Sequence, residues 1–194
     1  RGRNHAGQAR QEKIHAGHAR WVHPIYMDEK KYFDPGKNKA FEYCDVGMWL
    51  AWRDGRPVGR IMGIINGRFN EYRNVKIARF GYLESSEDRE VVHALLERVE
   101  TWARAKGMTR IIGPYGFSDQ DPEGFMIEGF ENGATIATYY NFEWMPGFIE
   151  AEGYSKDVDY FVYKVPVPKE MPELYTKVFE RQRRRGNFVV KEFR

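Results

Sequence analysis

Between Val75 and Pro114 the spacing of apolar residues changes from strand-like to helical and back, and few folds accommodate that change. Val75–Leu83 (VKIARFGYL) is an apolar run rich in β-formers and predicts a strand. Ser85 and Ser86 mark a turn, and Ser85 with Asp88 three residues on has the spacing of a capping box. From Asp88 to Lys106, the residues Val91, Val92, Leu95, Leu96, Val99, Trp102 and Ala103 recur on one face of an amphipathic helix. Gly107 is a natural stop, and Thr109–Gly113 (TRIIG) predicts a short strand that Pro114 ends. Two strands joined through a helix make a right-handed crossover in nearly every known case. The helix N-terminus, with its unpaired N–H groups and positive dipole end, then lies at the mouth of the first strand. Such a mouth suits a phosphate.

A chain of 194 residues accommodates one domain, or one domain and a fragment, around a real core. Its hydrophobic content of 42% and aromatic content of 15% are those of a globular protein, although the mean hydropathy is −0.69. No apolar run approaches the roughly eighteen residues of a membrane span, and the polar first residues lack the apolar core of a leader peptide. One cysteine, Cys44, excludes an internal disulfide and fits a reducing compartment. The expected location is the cytoplasm, without a membrane partner. A net charge of +3 does not by itself point to nucleic acid.

Residues 1–20 nearly repeat a short string, HAGQAR at His5 and HAGHAR at His15, and read as a polar, mobile segment. His5, His15, His18 and His23 raise the question of a metal, but no Cys or carboxylate cluster accompanies them, and no metal is expected. Trp21–Tyr43 reads as an ordered, irregular lead-in. Met48–Arg53, the turn Asp54-Gly55 and Pro57–Asn66 predict a β-hairpin. Gly67–Asn74 reads as a polar loop. Pro114–Gly133, rich in Gly, Asp and Phe without periodicity, reads as a long irregular segment of the kind that carries function. Beyond it, Asn141–Glu152 predicts a helix stopped by Gly153, Asp157–Val165 a strand, Met171–Arg185 a helix stopped by Gly186, and Phe188–Phe193 a last strand. The order predicts a mixed α/β sheet.

That order resembles the GNAT superfamily of acyl-coenzyme A-dependent N-acetyltransferases. Ala94–Gly107 (ALLERVETWARAKG) running into Met108–Ile112 is similar to the family's central helix and following strand. Phe148–Tyr154 (FIEAEGY) resembles the end of its late helix. More narrowly, Trp21–Pro24 (WVHP), Asp34–Asn38 (DPGKN), Gly113-Pro114 with Phe117-Ser118, and Glu128–Phe130 (EGF) resemble a bacterial branch whose members are longer and carry a second half of the same type. The resemblance implies a GNAT-like α/β fold, with a mixed, mostly antiparallel central sheet, a strand–helix–strand core and flanking helices. It places this domain over 21–165 and makes 166–194 a connector or the start of a second unit.

The same resemblance implies an acyl transfer from acetyl-coenzyme A or another acyl-coenzyme A to an amine of small-molecule or unknown type. Family members hold the coenzyme pyrophosphate on Gln/Arg-x-x-Gly-x-Gly/Ala at the start of the central helix. Here those positions fall on Glu87, Glu90 and Val92, or two residues on, at Arg89, Val92 and Ala94; neither register supplies the middle glycine. The implied coenzyme contacts are Leu83, Arg89, Glu90, Val91, Val92 and Asn141. Glu84 is the carboxylate at the strand end for a general base, and a helix-start acid is its alternative reading. The family's proton-donating Tyr aligns with Ile149, so Tyr139 and Tyr140 are the substitutes, or else packing aromatics. Tyr115 and Phe117, with those two tyrosines, are the expected substrate contacts. Acids in Glu84–Glu90 favour a helix start by a few tenths to about 1 kcal/mol each and repel a pyrophosphate. They leave a second reading open, a non-catalytic ligand-binding or interaction module of the same fold. A third, nucleic-acid contact through Arg181–Arg185, competes with a solvated helix end. An exposed sheet edge at Phe188–Phe193 would permit a homo-oligomer.

Overall fold

Asp54 and Gly55 both take left-handed backbone angles, φ 50° and 70°, which is the geometry of the tight hairpin turn that matches strand twist. A computed structural model describes residues 20–133, 140–187, 189 and 191. The turn joins β1 (Cys44–Arg53) to β2 (Arg56–Asn66), paired antiparallel from Arg53↔Arg56 to Cys44↔Asn66. β1 therefore starts four residues before the apolar run that predicts it. β2 pairs antiparallel with β3 (Ile77–Ser85), and β3 pairs parallel with β4 (Arg110–Ile112), in the order β1-β2-β3-β4. This is the expected mixed, mostly antiparallel sheet with flanking helices.

The crossover from β3 to β4 is α3 (Arg89–Ala105). Its buried residues are Val91, Val92, Leu95, Leu96, Val99 and Ala103, with Trp102 partly buried, which is the stripe read from the sequence. All but Ala103 pack with Ile61, Phe80 and Leu83 of the sheet into one core, and Ala103 packs with Ile65 and Ala78. Ser85 is not the helix cap. It ends β3, and Asp88 caps α3, its carboxylate accepting from the Glu90 and Val91 N–H groups at 3.0 and 3.4 Å. An ionised acceptor at the cap outcompetes a hydroxyl placed one turn too early.

Three other readings change. Gly67–Asn74 is not a loop, because Gly67–Arg73 forms α2, capped by the Asn66 side chain on Phe69 N (2.9 Å) and closed by Asn74 at φ 50°. Caps rather than an apolar stripe carry this helix. The lead-in contains α1 (Tyr26–Tyr32) and a 3-10 turn (Lys39–Glu42) that the Asn38 side chain caps. Asp157–Val165 joins no strand among the described residues; its alternation is present, but a strand also needs a partner. The late helix, α4, is shorter than read, Met145–Ala151, with Gly153 in the left-handed region just after it. The strand read at Phe188–Phe193 and the histidines at 5, 15 and 18 lie largely or wholly outside the described residues.

The chain divides into two compact units, Arg1–Asp159 and Tyr160–Arg194. The second holds α5 (Glu173–Arg185), closed by Gly186 at φ 69°. No helix among the described residues is long and apolar enough to cross a membrane.

Candidate functional site

β3 outruns its neighbour. Its last residue paired with β4 is Arg79, opposite Ile112, yet it continues to Ser85 while still pairing with β2 through Arg60↔Glu84 and Gly59↔Ser85. Tyr115 N still donates to Phe80 O at 2.8 Å, and beyond that bond the chain leaves the sheet. Gly81 tolerates that departure. A Cβ there would lie 2.3 Å from Tyr115 O. The edge of β3 past Phe80 thus lies beside the departing loop rather than beside a strand.

A bulge sits at the same place. Ile61 alone spans the register opposite Tyr82 and Leu83, and Tyr82 has φ 51°, an unusual angle for an aromatic residue. The bulge sends Phe80 and Leu83 into the α3 core while Tyr82 packs with the cluster on the other face, beside Met62, Tyr32, Phe33 and Phe117. Such outliers concentrate where function holds them.

On that second face lies a buried charge cluster. Arg60 Nη2 meets Glu84 Oε1 at 3.2 Å and Glu29 Oε1, from α1, at 3.7 Å. Arg60 and Glu29 are each only 8% exposed. The guanidinium carbon stands 5.9 Å from the ring centres of both Phe33 and Tyr82. Tyr32 and Tyr82 hydrogen-bond to each other, their rings 5.2 Å apart. Burial, with Asp121 nearby, pushes both phenols above their ordinary range, so both keep their protons at neutral pH.

After β4 comes the Pro114–Gly133 segment, irregular as read but firmly held. Buried Arg79 donates to the carbonyls of Gly116 and Phe117, both at 3.1 Å, and a cis Gly113-Pro114 bond opens the segment. Asn141 accepts from Met126 N at 2.7 Å and donates to Met126 O and Phe142 O at 3.1 and 3.0 Å. Its amide is spent on the loop, which is where the structure puts this expected coenzyme contact. Phe117 is buried against Tyr32 and Phe41, and Tyr115 is half-buried beneath Arg79.

At the start of α3, Leu83, Val91 and Val92 are core residues, so only their backbone can face a ligand. Glu90 and Arg89 are exposed. Arg53 forms ion pairs with Asp88 and, at 3.0 Å, with Glu90. The Glu90 and Val91 N–H groups already hold the Asp88 carboxylate, so this helix start does not fit a phosphate unless Asp88 moves. Arg89 reaches toward α4, bonding Ala151 O at 3.3 Å and Glu152 at 3.7 Å. Ile149 is buried and apolar, Tyr140 is buried, and Tyr139 lies outside the described residues. The Tyr154 hydroxyl donates to Glu100 at 2.9 Å.

His93 on α3 also grips Glu152, at 2.6 Å, and that hydrogen bond and charge raise its pKa. A raised histidine contributes stability in full below its unfolded value, about 6.5, and loses it as pH climbs through the folded value. His93→Ala is therefore expected to lower the urea midpoint at acidic pH and to leave it unchanged in mildly alkaline buffer. A constant difference across that range would show that the pair does not titrate as described.

The sequence reading singled out Glu84 but missed Arg60, Glu29 and Tyr32. The available signal was Arg60 itself, a charge inside the apolar run PVGRIMGIIN. Among the described residues no cluster of three potential metal ligands occurs.

The model of the family described as "Acetyltransferase (GNAT) family" matches residues 13–114. The bacterial ceramide synthase of Caulobacter vibrioides is 28% identical over 163 residues, covering 84% of this chain and 42% of that protein. Protein YghO of Escherichia coli is 27% identical over 139 residues, 72% of this chain and 35% of its own length. The chain thus spans less than half of either relative. Among solved structures, an aminoglycoside acetyltransferase from an uncultured soil metagenomic sample, in complex with trehalose, aligns over 82% of this chain and 87% of its own, at 10% identity and TM-score 0.46.

Proposed function

Since the chain belongs to the acetyltransferase (GNAT) family, we propose that it moves an acyl group from an acyl-coenzyme A to an amine. The observation that carries this reading is the end of β3, which outruns β4 and carries the carboxylate Glu84 at its tip, held by Arg60 of β2. A thioester supplies an activated acyl carbon, and the amine nitrogen forms the new C–N bond as the C–S bond breaks. Glu84 accepts the proton that the amine loses. Glu84 then returns that proton to the departing thiolate, so the proton of the amine ends on the thiol and the carboxylate is restored. A long-chain amino alcohol such as sphinganine is the first acceptor to try, because one relative is named a ceramide synthase and a ceramide is the N-acyl form of such a base.

A second reading keeps the fold and drops the chemistry. It is favoured by one observation, the Asp88 carboxylate seated on the N–H groups that a pyrophosphate would use. Calorimetric titration of acetyl-coenzyme A and free coenzyme A into the protein decides between them. Micromolar binding followed by thiol release with sphinganine supports transfer, whereas no heat up to millimolar ligand leaves the non-catalytic module. Asp88→Asn keeps a capping oxygen and removes a charge, so it is expected to tighten acetyl-coenzyme A binding about two- to fivefold. Unchanged or weaker binding would place the pyrophosphate away from α3.

A further inference from the structure

We propose that Arg60, braced by Glu29, is a positioning residue of the transfer site, so that α1 belongs to the active centre although it lies more than fifty residues before Glu84. The inference rests on the acyl-transfer reading and adds the element that aims its base. β3 alone does not fix Glu84. The residue stands at the end of the strand, past the bulge, where the neighbour β4 has stopped. A carboxylate in that position samples several rotamers unless something holds it, and a misplacement of about 1 Å can cost a factor near a hundred in rate.

What holds it is a guanidinium with little freedom of its own. Arg60 comes from the centre of the hairpin-bearing sheet, its head lies against the Phe33 and Tyr82 rings, and Glu29 holds the same Nη2 that meets Glu84. Phe33 closes α1 and Glu29 sits within it, so two of the contacts that fix Arg60 come from one short segment. The planar fork suits this task. A lysine ammonium carries the charge but not the fixed directions. The titratable groups that face the cluster are Glu29 and Tyr32 from α1, Arg60 from β2, Tyr82 and Glu84 from β3, and Asp121 from the loop after β4.

Two variants and two readouts test this. Thiol release from palmitoyl-coenzyme A with sphinganine gives kcat and KM separately, and a urea melt reports folding. Glu29→Gln removes the charge that braces the guanidinium, and Arg60→Lys keeps the cation but removes the fork. Both variants are expected to lower kcat far more than they change KM. Glu29→Gln is expected to lower kcat by roughly ten- to a hundredfold with KM for palmitoyl-coenzyme A unchanged. A purely structural cluster would lower the urea midpoint and leave kcat where it is, which would overturn the proposal alone. Wild-type protein that binds no acyl-coenzyme A and releases no thiol would overturn the transfer reading, and this proposal with it.

Discussion

Glu84→Gln is expected to lower kcat/KM for acyl transfer by about 10²- to 10⁴-fold, the range that a positioned general base contributes. Glutamine keeps the size of the side chain and an oxygen that can still accept from Arg60 at the 3.2 Å contact, so the loss isolates the proton-accepting function from the packing. The amine must shed a proton on its way from nucleophile to amide. Of the acids near the β3 edge, Glu84 stands at the strand end that outruns β4. Asp88 is committed to the α3 cap, and Glu90 lies outside the core, paired with Arg53. The comparison needs kcat/KM measured against pH together with a urea melt. A large fall in rate with an unchanged melt marks a base. An unchanged rate with a lowered melt marks an anchor for Arg60, and that result would remove Glu84 from the chemistry.

The sequence made the scaffold legible where local signals and burial agree. The α3 stripe from Val91 to Ala103, the Asp54-Gly55 turn and the parallel return to Arg110–Ile112 all lie where period and turn chemistry put them. It failed where a structure depends on a partner or a cap. α2 has no apolar face to announce it and stands on Asn66 and Asn74. Asp157–Val165 has the alternation of a strand and no neighbouring strand among the described residues. The site divides in the same way. Glu84 was readable as the carboxylate just past a predicted strand. Glu29 and Arg60 were not, since their meaning comes from a contact between residues thirty-one positions apart, brought together only when α1 packs on the sheet. The expected Asn141 contact is clearer still: the residue sits in the right region, but the loop it clasps, visible only in three dimensions, claims its amide.

Arg60→Met should cost about 3–5 kcal/mol of folding stability, because it removes the cation from between two buried carboxylates and leaves their charges to repel in a poorly solvated place. The size of that loss is not the worth of the ion cluster. Bringing a guanidinium and two carboxylates out of water is itself expensive, and an apolar cluster of similar volume would fill the space between Phe33 and Tyr82 about as well. Arg60→Met combined with Glu29→Gln and Glu84→Gln should therefore recover most of the loss, and the single variant should regain stability as pH falls, since protonation then neutralises the stranded acids. Urea unfolding of both variants near neutral pH and about two units lower reads each of these. If the triple variant is as stable as the wild type, stability does not explain why the protein keeps three charges under its sheet, and the explanation passes to what they do for Glu84. If it stays as unstable as Arg60→Met, the cluster is a structural element in its own right, and the positioning argument loses its main support.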